Sequence, residues 1–187
     1  MTTRNQLSGF AYRGAATGAL FMAGFGSVWF FLALAALTQR FYWWYLLPAI
    51  APALLVWVSI RRLRNPSPQV STEQLLVAKK IRLQFGIVNA IQWTAVGILV
   101  AILSGRGRQD LIVPAIVVVV ALHFIPLAVI FHAPTHYLTC ILLLGWVVAC
   151  YGLRFASAHV RSAGIAIGTG AILWIAGAIG LLGIGRR

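Results

Sequence analysis

The sequence predicts an all-α integral membrane protein, a bundle of six transmembrane helices that forms a single domain over residues 1–187. Hydrophobic residues make up 61% of the chain and charged residues only 9%, whereas soluble domains carry about 25% charged residues. Such a chain could not cover its surface with polar groups in water, so it needs lipid as its solvent. The apolar residues also fall into six runs, each near the roughly 20 residues that a helix needs to cross a bilayer.

The predicted spans lie near residues 14–37, 42–60, 84–104, 111–131, 135–153 and 162–184. Each should be helical, because hydrocarbon offers no hydrogen-bond partner to an unpaired backbone group. The first apolar run exceeds the 7–15 residues or so of a signal peptide core, and we interpret it as a membrane helix. Most connections are short, so consecutive helices should be antiparallel neighbours.

The long connection, residues 61–83, is predicted to be a loop. It contains Asn65-Pro66-Ser67-Pro68, which disfavours a helix, and then Ser71-Thr72-Glu73-Gln74, which is typical of a helix start with a hydroxyl cap. Residues 73–83 are predicted to form a basic amphipathic lead-in to the third span.

The net charge of +13 arises from 15 Lys and Arg residues against two acids, Glu73 and Asp110. Most basic residues stand at the ends of apolar runs, as Arg61-Arg62-Leu63-Arg64 does after the second span. Lipid phosphates occupy this level of a membrane and attract such side chains. We therefore predict the lipid bilayer and its anionic headgroups as partners, and no nucleic acid.

The distribution of Lys and Arg predicts the orientation. Ten of these residues fall on the side of the N-terminus, residues 61–83, the turn 132–134 and the C-terminus, against five on the other side. Because cytoplasmic segments carry the excess of positive charge, both termini are predicted to be cytoplasmic.

Small residues mark the first and sixth spans. Gly14 and Gly18, and likewise Gly164 and Gly168, have a spacing that lets helix backbones approach closely in lipid. These faces could pack within one bundle or form a homo-oligomer through helices one and six. Proline also interrupts the spans: Pro48 and Pro52 lie in the second, and Pro126 in the fourth, where it deprives the Leu122 carbonyl of its helical partner.

The polar residues of the spans predict a site. The predicted spans contain no Asp, Glu or Lys, which disfavours a carboxylate proton pump, a retinal Schiff base and divalent-cation transport. Asn89 and Gln92 share a helix face, and Gln92 and His123 each lie about 12 Å from the cytoplasmic ends of their adjacent helices. Thr139 is shallower. We expect these four to line a polar pocket in the cytoplasmic half, with His136 and Tyr137 at its mouth.

Two interpretations of this constellation stay open. The side chains could merely hydrogen-bond the helices together, at about 0.6–2 kcal/mol each. They could instead bind a solute or ion, or form a pH-sensitive gate through His123.

A metal or cofactor is not expected. Haem ligation by two histidines needs both at one depth, but His132 and His136 are placed at the interface and His159 on the other side. Walker, GxSxG and HExxH motifs are absent from the sequence, so we predict no catalytic residue.

Two stretches of the predicted spans form a pattern: Asn89-Ala90-Ile91-Gln92-Trp93, and Val113-Pro114-Ala115 leading to Leu122-His123-Phe124-Ile125-Pro126-Leu127. Both stretches resemble a signature of uncharacterised small bacterial multi-span inner-membrane proteins. The resemblance covers roughly residues 84–140. The resemblance implies a bacterial inner (cytoplasmic) membrane setting and no mechanism. The resemblance singles out Asn89, Gln92 and His123, and the depth of these residues along their helices indicates the same three independently.

Two functions compete. The first is a small transporter or channel for a neutral or anionic solute, a charge preference that the scarcity of acids and the many arginines favour. The second is a structural or accessory membrane protein that associates with itself or a partner through its helices. A membrane enzyme or cofactor carrier is a third, less favoured class.

Overall fold

The computed structural model describes residues 2–37, 50–64, 72–153 and 155–183. These residues form α-helices and one short 3-10 turn at Gln109–Leu111, with no strand among them. The helices are α1 (Thr2–Leu37), α2 (Ile50–Arg64), α3 (Thr72–Gly105), α4 (Ile112–Ile130), α5 (Thr135–Gly152) and α6 (Ala158–Leu182). The described residues therefore confirm two parts of the prediction. The fold is all-helical, and its long helices are apolar, as a membrane bundle requires.

Among the described residues, five helices are long and apolar enough to cross a membrane: α1, α3, α4, α5 and α6. The described part of α2 has 15 residues, a length of about 22 Å, against roughly 30 Å for the hydrocarbon core of a bilayer. The start of the predicted second span, together with Pro48, lies outside the described residues. Pro52 falls in the first turn of α2, where a proline is tolerated.

The connection predicted at residues 61–83 is helical wherever the structure describes it. Helix α2 continues to Arg64, so Arg61, Arg62 and Arg64 lie in its last turn, where cations interact favourably with the helix dipole. Helix α3 begins at Thr72 and runs unbroken for 34 residues. The lead-in and the third span are one helix, because Leu, Lys, Arg and Gln are good helix formers that continue a helix already nucleated.

One end of the bundle, which we call the near end, holds the starts of α1, α3 and α5 and the ends of α2, α4 and α6. Ala16 of α1 and Leu181 of α6 pack there with Leu63 of α2. The Phe85 ring of α3 lies 5.9 Å from Phe131, at the end of α4, and 5.9 Å from Phe21 of α1. Consecutive helices are therefore antiparallel, as the short connections predict.

Among the described residues, the most extensive helix contact joins α1 to α6, the first and the last of the described helices. A Cβ atom on Gly26 would lie 2.9 Å from the Gly170 carbonyl oxygen, and one on Gly170 would lie 2.7 Å from the Gly26 carbonyl oxygen. Both distances are too short for a side chain, so glycine at these two positions allows the backbones to meet. Trp174 of α6 closes the contact by stacking on Phe30, with ring centroids 4.4 Å apart.

The Gly164 and Gly168 face of α6 packs within the chain, against α5. A Cβ atom on Gly168 would overlap the Trp146 indole, whose Nε1 donates a hydrogen bond to the Gly164 carbonyl oxygen at 3.2 Å. By contrast, a Cβ atom on Gly14 or Gly18 would meet nothing within 4 Å among the described residues. Self-association through α1 therefore stays a prediction.

Candidate functional site

His123 lies on α4, seven residues before the helix ends at Ile130. Its side chain is half-buried, and its Nδ1 atom is fully buried without a hydrogen-bond partner among the described residues. Pro126 lies inside the same helix and cannot donate to the Leu122 carbonyl. This stretch of α4 therefore combines an unpaired imidazole nitrogen with a backbone carbonyl that lacks its helical donor.

His136 of α5 lies among the aromatic rings of α4. Its ring centroid is 5.6 Å from that of Phe124 and 6.2 Å from that of Phe131. The His123 ring meets the same Phe124 ring edge-on at 6.1 Å. Both imidazoles therefore lie beside the Phe124 ring. His136 is part of this cluster, and its place at the mouth of a pocket stays a prediction.

Asn89 and Thr139 use their donors within their own helices. The Asn89 side-chain nitrogen donates to the Phe85 carbonyl oxygen at 2.8 Å, and the Thr139 hydroxyl donates to the Thr135 carbonyl oxygen at 3.1 Å. Such local bonds satisfy polar side chains in helices without a partner on another helix. These two bonds are compatible with the packing interpretation as well as with a site.

The predicted site residues are only partly brought together. Gln92 is half-buried on α3, while Tyr137 is exposed on α5. No direct hydrogen bond from Asn89 or Gln92 reaches His123 Nδ1 within the described part of the chain. A contact through one water molecule stays a prediction.

A concave surface occurs away from His123, on α1. This open groove of about 380 Å³ is lined by Leu20, Phe21, Gly24, Phe25 and Val28, and we call it the Gly24 groove. Its lining is apolar, so it does not correspond to the predicted polar pocket.

Sequence reasoning missed the aromatic rings that connect the helices near His123. The chain of ring contacts runs through Phe21, Phe85, Phe131, His136, Phe124 and His123. Phe85 and Asn89 are four residues apart and therefore share a helix face. This spacing is the sequence signal that could have indicated the cluster. Aromatic residues are so common in apolar spans that the spacing alone could not distinguish the cluster from ordinary core.

Among the described residues, no group of three or more His, Cys, Asp or Glu side chains could hold a metal ion. What the cluster offers instead is an imidazole that can donate or accept one hydrogen bond at membrane depth. Comparison of the chain with protein-family models, curated proteins and solved structures finds no match.

Proposed function

We propose that this chain is a small bacterial inner-membrane transporter or channel for a neutral or anionic solute, with its polar site around His123. The observation that carries the proposal is the buried Nδ1 atom of His123, which has no hydrogen-bond partner among the described residues. Leaving such an atom unpaired costs about 1–3 kcal/mol. Unpaired buried groups in native proteins often have a functional reason, and an ionisable residue at membrane depth marks a solute or proton path.

The charge preference rests on the surroundings of the site. The chain has only two acids, Glu73 in the first turn of α3 and Asp110 near the opposite end of the bundle. Asp110 forms an exposed pair with Arg108 at 3.4 Å. The near end carries Arg61, Arg62 and Arg64 in the last turn of α2. This balance favours an anionic or neutral solute over a cation. With the near end cytoplasmic, as the distribution of Lys and Arg predicts, His123 lies in the cytoplasmic half of α4.

The test compares His123→Phe with the native protein in liposomes. Phenylalanine keeps an aromatic ring beside Phe124 but removes both ring nitrogens. Permeation of chloride and of glycerol is measured by light scattering or fluorescence quenching. We expect the native protein to conduct at least one of them and His123→Phe to lose most of that flux while melting no lower than native. His159→Phe, the same substitution at an exposed position in the first turn of α6, is the matched control.

Two results would contradict the proposal: equal flux through native protein and His123→Phe, or loss of thermal stability in His123→Phe without any native flux. The second result would assign His123 to packing.

The accessory function is the second candidate, because α3 is unusually exposed. None of its described side chains is buried, and within the described chain its backbone approaches only α4 and the adjoining 3-10 turn. A partner helix could cover this surface. Cysteine placed at Ile91, which is 63% exposed, would then cross-link to that partner in membranes, in a background lacking Cys140 and Cys150.

A further inference from the structure

Helices α1 and α3 are bridged by side chains alone. Within the described residues, no Cα atoms of the two helices come within 8 Å, yet Phe21 contacts Phe85 at 5.9 Å and Phe25 contacts Trp93 at 6.2 Å between ring centroids. Aromatic rings thus span a cleft that the two backbones leave open.

The Gly24 groove adjoins this bridge, because Phe21 and Phe25 belong to both. Its floor is Gly24, where a Cβ atom would meet nothing within 4 Å in the described part of the chain. A groove lined by apolar side chains has no group to bind a polar solute. It suits a hydrocarbon chain, which packs against apolar side chains by van der Waals contact in lipid.

Basic residues continue this face of α3 towards the near end. Arg82 precedes Phe85 by three residues and Trp93 by eleven, so all three share one helix face. Lys79 lies about one turn closer to the start of α3, and the side chains of Lys79 and Arg82 are both exposed. Since α3 has 34 residues, its length of about 51 Å exceeds the roughly 30 Å hydrocarbon core. Its first turns therefore reach the headgroup level.

We propose that the Gly24 groove and the basic start of α3 together bind one anionic phospholipid. An acyl chain lies in the groove between Phe21 and Phe25, and the phosphate contacts Arg82 and Lys79. Charge complementarity identifies the occupant, because basic pockets between membrane helices bind anionic headgroups. This site goes beyond general attraction to a charged bilayer, since it requires a particular groove and a particular face of α3.

The experiment titrates the purified full chain, in a neutral detergent, with dioleoyl phosphatidylglycerol or dioleoyl phosphatidylcholine. Native mass spectrometry counts the bound lipids. We expect one phosphatidylglycerol molecule to bind tightly and phosphatidylcholine to bind more weakly. Arg82→Gln should weaken phosphatidylglycerol binding about fivefold, the loss expected for one basic side chain near anionic lipid. Lys80→Gln removes the same charge from an exposed position on the opposite face of α3 and should have little effect.

A second pair of variants tests the groove. Gly24→Leu should fill it and displace both lipids, whereas Gly145→Leu should not. Gly145 lies on α5, where a Cβ atom also meets nothing within 4 Å. Equal affinity for the two lipids, or equal loss in Arg82→Gln and Lys80→Gln, would overturn the proposal. So would a dimer in the native protein that Gly24→Leu dissociates, because a second copy would then cover the groove.

Discussion

The indole nitrogen of Trp174 on α6 donates a hydrogen bond to the Ala23 carbonyl oxygen on α1 at 3.2 Å, across a buried contact. The same carbonyl oxygen also accepts from the Ser27 hydroxyl at 2.8 Å. Trp174 covers Gly26, where no side chain would fit beneath the ring. One tryptophan therefore combines a hydrogen bond, aromatic stacking and close backbone packing at the centre of the α1–α6 contact.

Trp174→Phe should lower the free energy of unfolding by about 1 kcal/mol, in the range measured for hydrogen bonds between membrane helices. The substitution keeps an aromatic ring to stack on Phe30 and removes the donor to Ala23. Thermal melting in detergent measures the effect. Trp93→Phe is the control, since Trp93 is 55% exposed on α3; equal losses in the two variants would contradict a specific role for the hydrogen bond.

Gly168→Leu should destabilise the bundle by about 3 kcal/mol or more, because the new side chain would overlap the Trp146 indole and force α5 away from α6. Gly18→Leu is the matched substitution at a glycine where a Cβ atom would meet no described residue within 4 Å. We expect Gly18→Leu to melt like the native protein. A smaller mass for Gly18→Leu by light scattering, without loss of stability, would support self-association through α1. Equal melting of Gly168→Leu and the native protein would show that this packing is wrong.

Arg62→Gln should loosen the end of α6. The Arg62 guanidinium donates to the Leu181 carbonyl oxygen at 2.6 Å, and hydrogen bonds from charged groups stabilise by about 1.5–3 kcal/mol. Faster hydrogen exchange in the last turn of α6 would report the loss. Arg61→Gln is the comparison, since Arg61 instead lies over the Trp57 ring at 4.2 Å; unchanged exchange in Arg62→Gln would count against the contact.

Labelling of single cysteines would decide the number of spans. In a background without Cys140 and Cys150, cysteine at Leu37 should react only from the periplasm and cysteine at Thr72 only from the cytoplasm. Both positions are exposed, and they flank α2. Reaction of both from one side would mean that α2 does not cross the membrane.

The sequence was enough to predict that the elements are α-helices, where α4 and α5 begin and end, and that consecutive helices run in opposite directions. Lipid leaves the backbone little choice in these respects. The predicted 111–131 and 135–153 compare with Ile112–Ile130 and Thr135–Gly152. The extension of α1 to Thr2 was missed, whereas the helix start near Thr72 was predicted, although as a lead-in and not as one helix with the third span. Hydropathy marks where lipid ends, and a helix of polar good formers continues past that level into the headgroup region.

The candidate site was harder to predict for a different reason. Depth along a helix placed His123 and Gln92 at one level, but hydrogen bonding depends on rotation about the helix axis and on local acceptors. Asn89 therefore bonds to Phe85 in its own helix rather than to α4. His136 could not be placed either, because its position depends on how the Phe124 and Phe131 rings pack against α5.

The close contact of α1 with α6 has a consequence for biosynthesis. Ala23 and Trp174 are separated by 151 positions in sequence, so α1 enters the membrane long before its main packing surface has been translated. Until α6 arrives, the small residues around Gly26 must be covered by lipid, by the insertion machinery or by other helices of the same chain. The bundle can close only when its last helix inserts, and chains truncated before α6 should be substrates for membrane proteases.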